Sequence, residues 1–126
     1  MTSTAFASVD VNVAKRVVRF HRTNKKTTGD ELDPTWGVVM GAPGGLDPKT
    51  SGLLVDFRLA PPRNDPAFEA KVDQWMKPLS EKYRRMAVLV KSATGRLQAM
   101  RNMREHKQPL TVFTDEAEAM RFLTSK

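Results

Sequence analysis

The fold can be inferred outward from residues 53–59, which read Leu-Leu-Val-Asp-Phe-Arg-Leu and stand just before Pro61-Pro62. Apolar residues follow one another here with little polar alternation, which is typical of a strand buried on both faces of a parallel sheet. Proline cannot donate a hydrogen bond to a neighbouring strand, so the two prolines mark where this strand ends. We expect residues 53–59 to form a central, largely buried strand.

Two strands and a short helix are predicted before this segment. Residues rich in β-forming side chains cluster at 6–11 and 17–20, and Asn12 lies near the bend between them. Asp33-Pro34 is a typical helix start, with Asp33 as the N-cap, and Gly41 is a plausible C-cap. The apolar residues of this helix share one face: Trp36, Val39 and Met40. Residues 38–40 also suit a strand, but the helix is favoured.

Helix and strand patterns alternate after the central strand. Asn64 or Asp65 begins an amphipathic helix that reaches Tyr83, and Pro78 should kink it. The remaining predicted elements are a strand at 86–90, a helix from Ser92 or Thr94 to about Glu105, a strand at 110–113 and a helix from Asp115 to Leu123. The order β-β-α-β-α-β-α-β-α predicts an α/β fold, with a single mixed, mostly parallel sheet of about five strands and about four helices.

Length and composition indicate an ordinary globular protein. The 126 residues suit one domain, residues 1–126, with flexible ends at about 1–4 and 125–126. There is no cysteine, which excludes disulfides and thiolate metal sites. We find neither a signal-peptide pattern nor an apolar run long enough to span a membrane, so a cytoplasmic location is expected.

Positive charge is concentrated in two places. The net charge is +7, and residues 77–107 hold nine basic side chains against two acidic ones. Residues 15–26 add six basic side chains and no acidic one. Such a surplus suits an anionic partner, such as a nucleic acid, a lipid headgroup or an acidic protein surface, but it equally suits a solubilising surface.

Five tracts spread along the chain carry a family resemblance: residues 53–58, 60–66, 86–90, 95–98 and 112–117. With the order of elements, they resemble the STAS fold of anti-sigma-factor antagonists, in particular its divergent SpoIIAA-like branch. The resemblance implies a non-enzymatic domain that docks protein partners in a bacterial regulatory or scaffolding complex, with a homodimer left open. In that family a serine at the start of the helix after the central strand is phosphorylated. Here no Ser or Thr lies between Ala60 and Leu79, so that switch is not expected.

A candidate partner-binding surface follows from the predicted strand ends. Pro61, Pro62 and Pro66 restrict the loop that contains residues 63–65, and loops at the carboxyl ends of parallel strands commonly bind ligands or partners. Basic residues of the predicted third helix would extend this surface. The full set is Arg63, Asn64, Asp65, Ser92, Thr94, Arg96, Arg101 and Arg104. The competing interpretation is that these residues only cap helices or face solvent.

No catalytic or metal-binding pattern is found, so we expect no enzyme activity, no cofactor and no metal site. The Gly44-Gly45 segment lacks the glycine spacing of a phosphate-binding loop, and neither His21 nor His106 belongs to a recognisable triad or ligand set. Asp56 and Arg58 should lie on the same strand face and form an ion pair. Two alternative functions remain open: a small-ligand or lipid carrier with a methionine-lined pocket, and a nucleic-acid-binding protein using residues 77–107.

Overall fold

The computed structural model describes residues 2–27, 30–60, 66–92 and 111–125. The strands are β1 (Thr2–Ser3), β2 (Ala7–Asn12), β3 (Val17–Arg22), β4 (Gly52–Asp56), β5 (Arg85–Leu89) and β6 (Thr111–Phe113). The helices are α1 (Asp33–Met40), α2 (Pro66–Lys82) and α3 (Glu116–Thr124). The helix predicted between β5 and β6 lies outside the described residues.

One sheet contains all six strands, and their order across the sheet is their order along the chain. The β1–β2 and β2–β3 pairs are antiparallel, whereas the β3–β4, β4–β5 and β5–β6 pairs are parallel. The predicted α/β class and mostly parallel sheet are confirmed. The two-residue strand β1 was not predicted, because so short a segment has no recognisable periodicity.

Strands β4 and β5 are buried because they are apolar on both faces, and each face has its own core. On one face α1 and α2 cover the larger core, where the ring centroids of Phe20 and Trp36 are 3.9 Å apart in a stacked arrangement. Trp36 is fully buried and Tyr83 is 4% exposed, so both are packing residues. On the opposite face α3 packs on a second core, whose described buried residues are Val17, Leu54, Ala87, Leu89, Ala119 and Leu123.

Asp33 does not cap α1, contrary to the prediction. A 3₁₀ turn, Asp30–Leu32, precedes the helix, so Leu32 occupies the N-cap position and Asp33 is the first helical residue. Its carboxylate instead accepts a hydrogen bond from Trp75 Nε1 at 2.8 Å and pairs with Lys71 Nζ at 3.1 Å. These contacts join α1 to α2 and outweigh the local capping preference.

The basic segment that joins the end of α2 to the start of β5, residues 82–85, binds the ends of two helices. Lys82 Nζ and Tyr83 Oη donate to the carbonyls of Met40 and Val39 at the end of α1. Arg84 and Arg85 donate to carbonyls at the end of α3, including Arg85 Nη1 to Phe122 O at 2.6 Å. The last carbonyls of a helix lack partners within it, so cationic donors there are stabilising. We call residues 82–85 the capping segment.

Candidate functional site

The described residues include only one member of the predicted partner-binding set. Ser92 is exposed and lies three residues beyond the end of β5. The other seven lie outside the described residues: Arg63, Asn64, Asp65, Thr94, Arg96, Arg101 and Arg104.

The carboxyl ends of the parallel strands meet at one edge of the sheet. The backbone N–H of Phe57 donates to Leu89 O at 2.8 Å, and that of Val90 donates to Phe113 O at 2.9 Å. These bonds extend the pairing just beyond β4 and β5. We call residues 57–60, 90–92 and 114–116 the carboxyl edge; residues 57–60 lead directly into the predicted Arg63–Asp65 loop.

Four charged side chains form a network where the sheet meets this edge. Arg58 Nη2 lies 2.8 Å from Asp56 Oδ2 and 2.9 Å from Glu116 Oε1. Arg19 Nη2 contacts the same two oxygens at 2.9 Å and 2.8 Å. The predicted Asp56–Arg58 pair is thus present, with Arg19 and Glu116 as additional members that spacing alone did not suggest. We call these four residues the charged network; its formal charges sum to zero.

The charged network holds Asp56 in its ionised form. Burial alone would raise the pKa of Asp56, but hydrogen bonds from the Arg58 side chain and backbone, the charge of Arg58 and a bond from Arg19 outweigh burial and lower it. The hydrogen bond from Arg58 to Asp56, together with the charges of Asp56 and Glu116, raises the pKa of Arg58. General acid–base catalysis needs a group whose pKa lies near the working pH. Neither Asp56 nor Arg58 has that property near neutrality.

An exposed leucine lies on the carboxyl edge beside this network. Leu59 is 63% exposed and directly follows Arg58. Among the described residues, one other large apolar side chain is similarly exposed: Val13, at 60%, in the turn between β2 and β3. Val13 precedes the amino end of β3, so the two residues lie towards opposite ends of the strands.

A second polar cluster lies on the sheet face that carries α3, beyond the area that α3 covers. The β2–β3 register pairs Ser8 with His21, and Ser8 Oγ is hydrogen-bonded to His21 Nε2 at 2.5 Å. Asp10 Oδ2 is 3.7 Å from the same ring nitrogen. A catalytic triad needs the acid and the nucleophile on different imidazole nitrogens, so this arrangement is not one. The register of the β2–β3 hairpin places Ser8 opposite His21. The spacing of these residues along the sequence alone does not indicate the contact.

Most basic side chains of the acid-free run at residues 15–26 make contacts within the protein. Arg22 is 2% exposed and donates to the carbonyls of Phe6 and Lys25, while Arg19 belongs to the charged network. Arg16 donates to Thr50, and the ammonium of Lys25 lies 5.1 Å from the ring centroid of Phe6. A nucleic-acid surface needs cationic groups that are free to contact phosphates. Because most cations of this run already have partners within the protein, the run offers few such groups.

Three common classes of site are not found in the described part of the chain. Open α/β sheets usually bind ligands in a crevice where the order of the strands across the sheet changes direction, and the described strands follow one another in a single direction. Within the described ranges no group of three or more metal-ligating side chains comes together. No described helix is long and apolar enough to cross a membrane.

Comparison with known proteins identifies the fold. No protein-family model matches the chain, and no curated protein matches it. The crystal structure of an uncharacterized protein from the DUF3478 family with a SpoIIAA-like fold, from Shewanella loihica PV-4, is similar to it with a TM-score of 0.63. The match has 12% sequence identity and covers 98% of each chain. The chain therefore has a SpoIIAA-like fold, which confirms the predicted resemblance at the level of fold.

Proposed function

We propose that this protein is a non-enzymatic interaction module that docks a protein partner through the carboxyl edge of its sheet. The single observation that supports it is the exposed Leu59 beside Arg58, whose guanidinium is held by Asp56 and Glu116. Protein interfaces are enriched in arginine and combine an apolar centre with a polar rim. Because Arg58 is already held in place by two carboxylates, a partner would not have to order it.

The chemistry of the same edge favours binding over catalysis. The ionised, paired Asp56 has no proton to give near neutral pH, and its arginine partners remain charged. The charges of the network cancel, so contact with a partner would be directed by shape and by Leu59 rather than by a strong electric field. We propose a bacterial regulatory or scaffolding complex in the cytoplasm as the setting, without a serine switch.

Two matched substitutions test this proposal. Leu59→Ser should greatly reduce the amount of partner recovered by quantitative affinity capture from cells of the source organism, because it removes the apolar centre of the surface. Val13→Ser removes a similarly exposed side chain in the β2–β3 turn and should leave recovery unchanged. Both residues are more than half exposed, so both variants should unfold at the wild-type temperature. Equal recovery by all three proteins would contradict the proposal.

Two predicted partner-binding residues that follow parts of the carboxyl edge in the sequence provide a second test. Arg63→Ala combined with Arg96→Ala should weaken capture of the same partner if the surface extends beyond the carboxyl edge. Circular dichroism should show an unchanged fold. A double variant that captures the partner as well as the wild type would limit the surface to residues 57–60 and their neighbours.

A further inference from the structure

A groove runs along β3 between the side chains of β2 and those of α3. Its volume is about 280 Å³, near the lower limit for small-molecule sites. The β2–β3 hairpin forms one wall, and two α3 residues one turn apart, Glu116 and Met120, form the other. The complete lining is Asp10, Val11, Asn12, Lys15, Val17, Arg19, Leu54, Glu116 and Met120.

The floor of this groove is apolar. Val17 and Leu54 are 2% and 1% exposed and belong to the core beneath α3, and the half-buried Met120 packs against the same core. Contact with an aliphatic chain would remove apolar surface from water on both sides, which is favourable. The floor therefore suits an unbranched hydrocarbon body rather than a charged group.

The two ends of the groove have opposite charge. Near the carboxyl edge, the Asp10 side chain is 60% exposed, and the Arg19 opposite it is already paired with Asp56 and Glu116. At the hairpin turn, the exposed Lys15 has no ion pair with any described residue; its backbone N–H donates to Asn12 Oδ1 at 3.1 Å. Asp10 thus offers an acceptor for a cation and Lys15 a donor for an anion.

The distance between these charges restricts the length of the ligand. Asp10 and Asn12 are two residues apart on one strand, which is about 7 Å, and Lys15 lies beyond Asn12 in the turn. An α-amino acid carries its ammonium and carboxylate on one carbon and cannot reach both ends. We infer that this groove binds a linear zwitterion, a chain with an ammonium group at the Asp10 end and a carboxylate at the Lys15 end. This inference does not rest on the proposed protein partner.

Titration with 6-aminohexanoate tests the inference, monitored by the backbone amide signals of the ¹⁵N-labelled protein. Saturable shifts are expected for residues of the hairpin and for Met120. Hexanoate lacks the ammonium, hexylamine lacks the carboxylate and glycine is too short, so each should bind at least about tenfold more weakly. Equal binding of any of these three compounds, or the absence of saturable shifts at millimolar 6-aminohexanoate, would overturn the inference.

Variants that remove one charge each test whether Asp10 and Lys15 bind the ligand. Asp10→Asn and Lys15→Gln should each weaken 6-aminohexanoate binding by about tenfold, because each removes one charge-assisted contact. The controls Glu118→Gln and Lys26→Gln neutralise exposed residues outside the groove and should leave binding unchanged. Unchanged binding in both groove variants, at unchanged melting temperature, would contradict the assignment. Leu59→Ser should retain 6-aminohexanoate binding, which separates this site from the proposed docking surface.

Discussion

At the scale of single residues, Asp56 makes several contacts that depend on its charge. It is 6% exposed, its carboxylate accepts from the side chains of both Arg19 and Arg58, and the backbone N–H of Arg58 also donates to it, at 3.0 Å. A buried acid with this many donors stabilises the fold only while it is ionised. The stability of the protein should therefore depend on pH in the acid range.

We predict that acidification removes this contribution. The pKa of Asp56 is lower in the folded protein than in the unfolded chain, so the contribution is present above about pH 4 and is lost as the pH falls through the folded-state value. In Asp56→Asn, the free energy of unfolding at neutral pH should fall by about 2 kcal/mol, because the two arginines lose a charged acceptor. Its dependence on pH below about 4 should also be weaker. Urea unfolding at several pH values measures both effects.

Glu118→Gln is the control for this experiment, because it removes an exposed carboxylate from α3 outside the charged network. Its unfolding free energy should follow that of the wild type across the pH range. If Asp56→Asn lost stability in parallel with the wild type on acidification, another acid would be responsible for the pH dependence.

At the scale of elements, the close approach of α3 to the sheet depends on a glycine. A Cβ atom added to Gly52 would lie 3.1 Å from both Cβ and Cδ2 of Leu123, closer than ordinary van der Waals contact. Gly52 begins β4, and Leu123 is one of the two fully buried residues of α3. The absence of a side chain at position 52 lets the end of α3 lie directly on the strand.

Two glycine-to-alanine substitutions should have opposite effects on stability. Gly52→Ala should lower the free energy of unfolding by about 1–2 kcal/mol, because α3 must shift or Leu123 must leave its rotamer. Gly37 lies inside α1, where an added Cβ meets nothing within 4 Å, so Gly37→Ala should raise it by about 0.5–1 kcal/mol. Thermal and urea unfolding measure both; a stabilised Gly52→Ala protein would show that α3 lies further from β4.

The elements that the sequence predicted well are those with a strong local pattern. The runs at 53–59 and 86–90 are mostly apolar and both contain buried strands, although β4 ends at Asp56 and not at the predicted residue 59. The N-cap at Asp33 was wrong because Trp75 and Lys71, more than thirty residues away in sequence, bind its carboxylate. Such contacts leave no trace in local spacing.

In the candidate sites, too, contacts between residues close in sequence were predicted and contacts between distant residues were not. The Asp56–Arg58 pair was predicted from their spacing in a strand expected to reach residue 59. The pair is present, but β4 ends at Asp56 and Arg58 lies in the turn that follows it. The participation of Arg19 and Glu116, the contact between Ser8 and His21, and the groove all depend on which strands and helices lie side by side. The hairpin register and the position of α3 determine these neighbours, and neither can be read from residue spacing.

At the scale of the whole molecule, the sheet separates two apolar cores, which differ in size among the residues that the structure describes. The face covered by α1 and α2 holds the larger core, whereas the core that α3 forms with β3, β4 and β5 contains six buried residues in the described part of the chain. Regions with fewer buried apolar contacts open at lower free-energy cost than the centre of the fold. The protein should therefore not be equally stable throughout.

Native-state hydrogen exchange followed by NMR should reveal this difference. We expect the slowest exchange in β3, β4 and β5, which are paired on both sides, and faster exchange in α3 and in the short β1. Stabilising α1 through Gly37→Ala should leave the exchange of α3 unchanged if α3 opens separately. Uniform protection of α3 and the central strands would show that both faces unfold together.

The agreement between strand order and chain order affects how the protein can be made on the ribosome. Each of the strands β2 to β6 pairs with the strand synthesised before it, so the nascent chain can extend its sheet from one side as it emerges. The apolar surface on which α3 packs comes from β3, β4 and β5, all of which precede it in the chain, so α3 can meet a surface that is already assembled. Pairing between neighbours in the chain also limits the entropy of loop closure, which favours rapid folding.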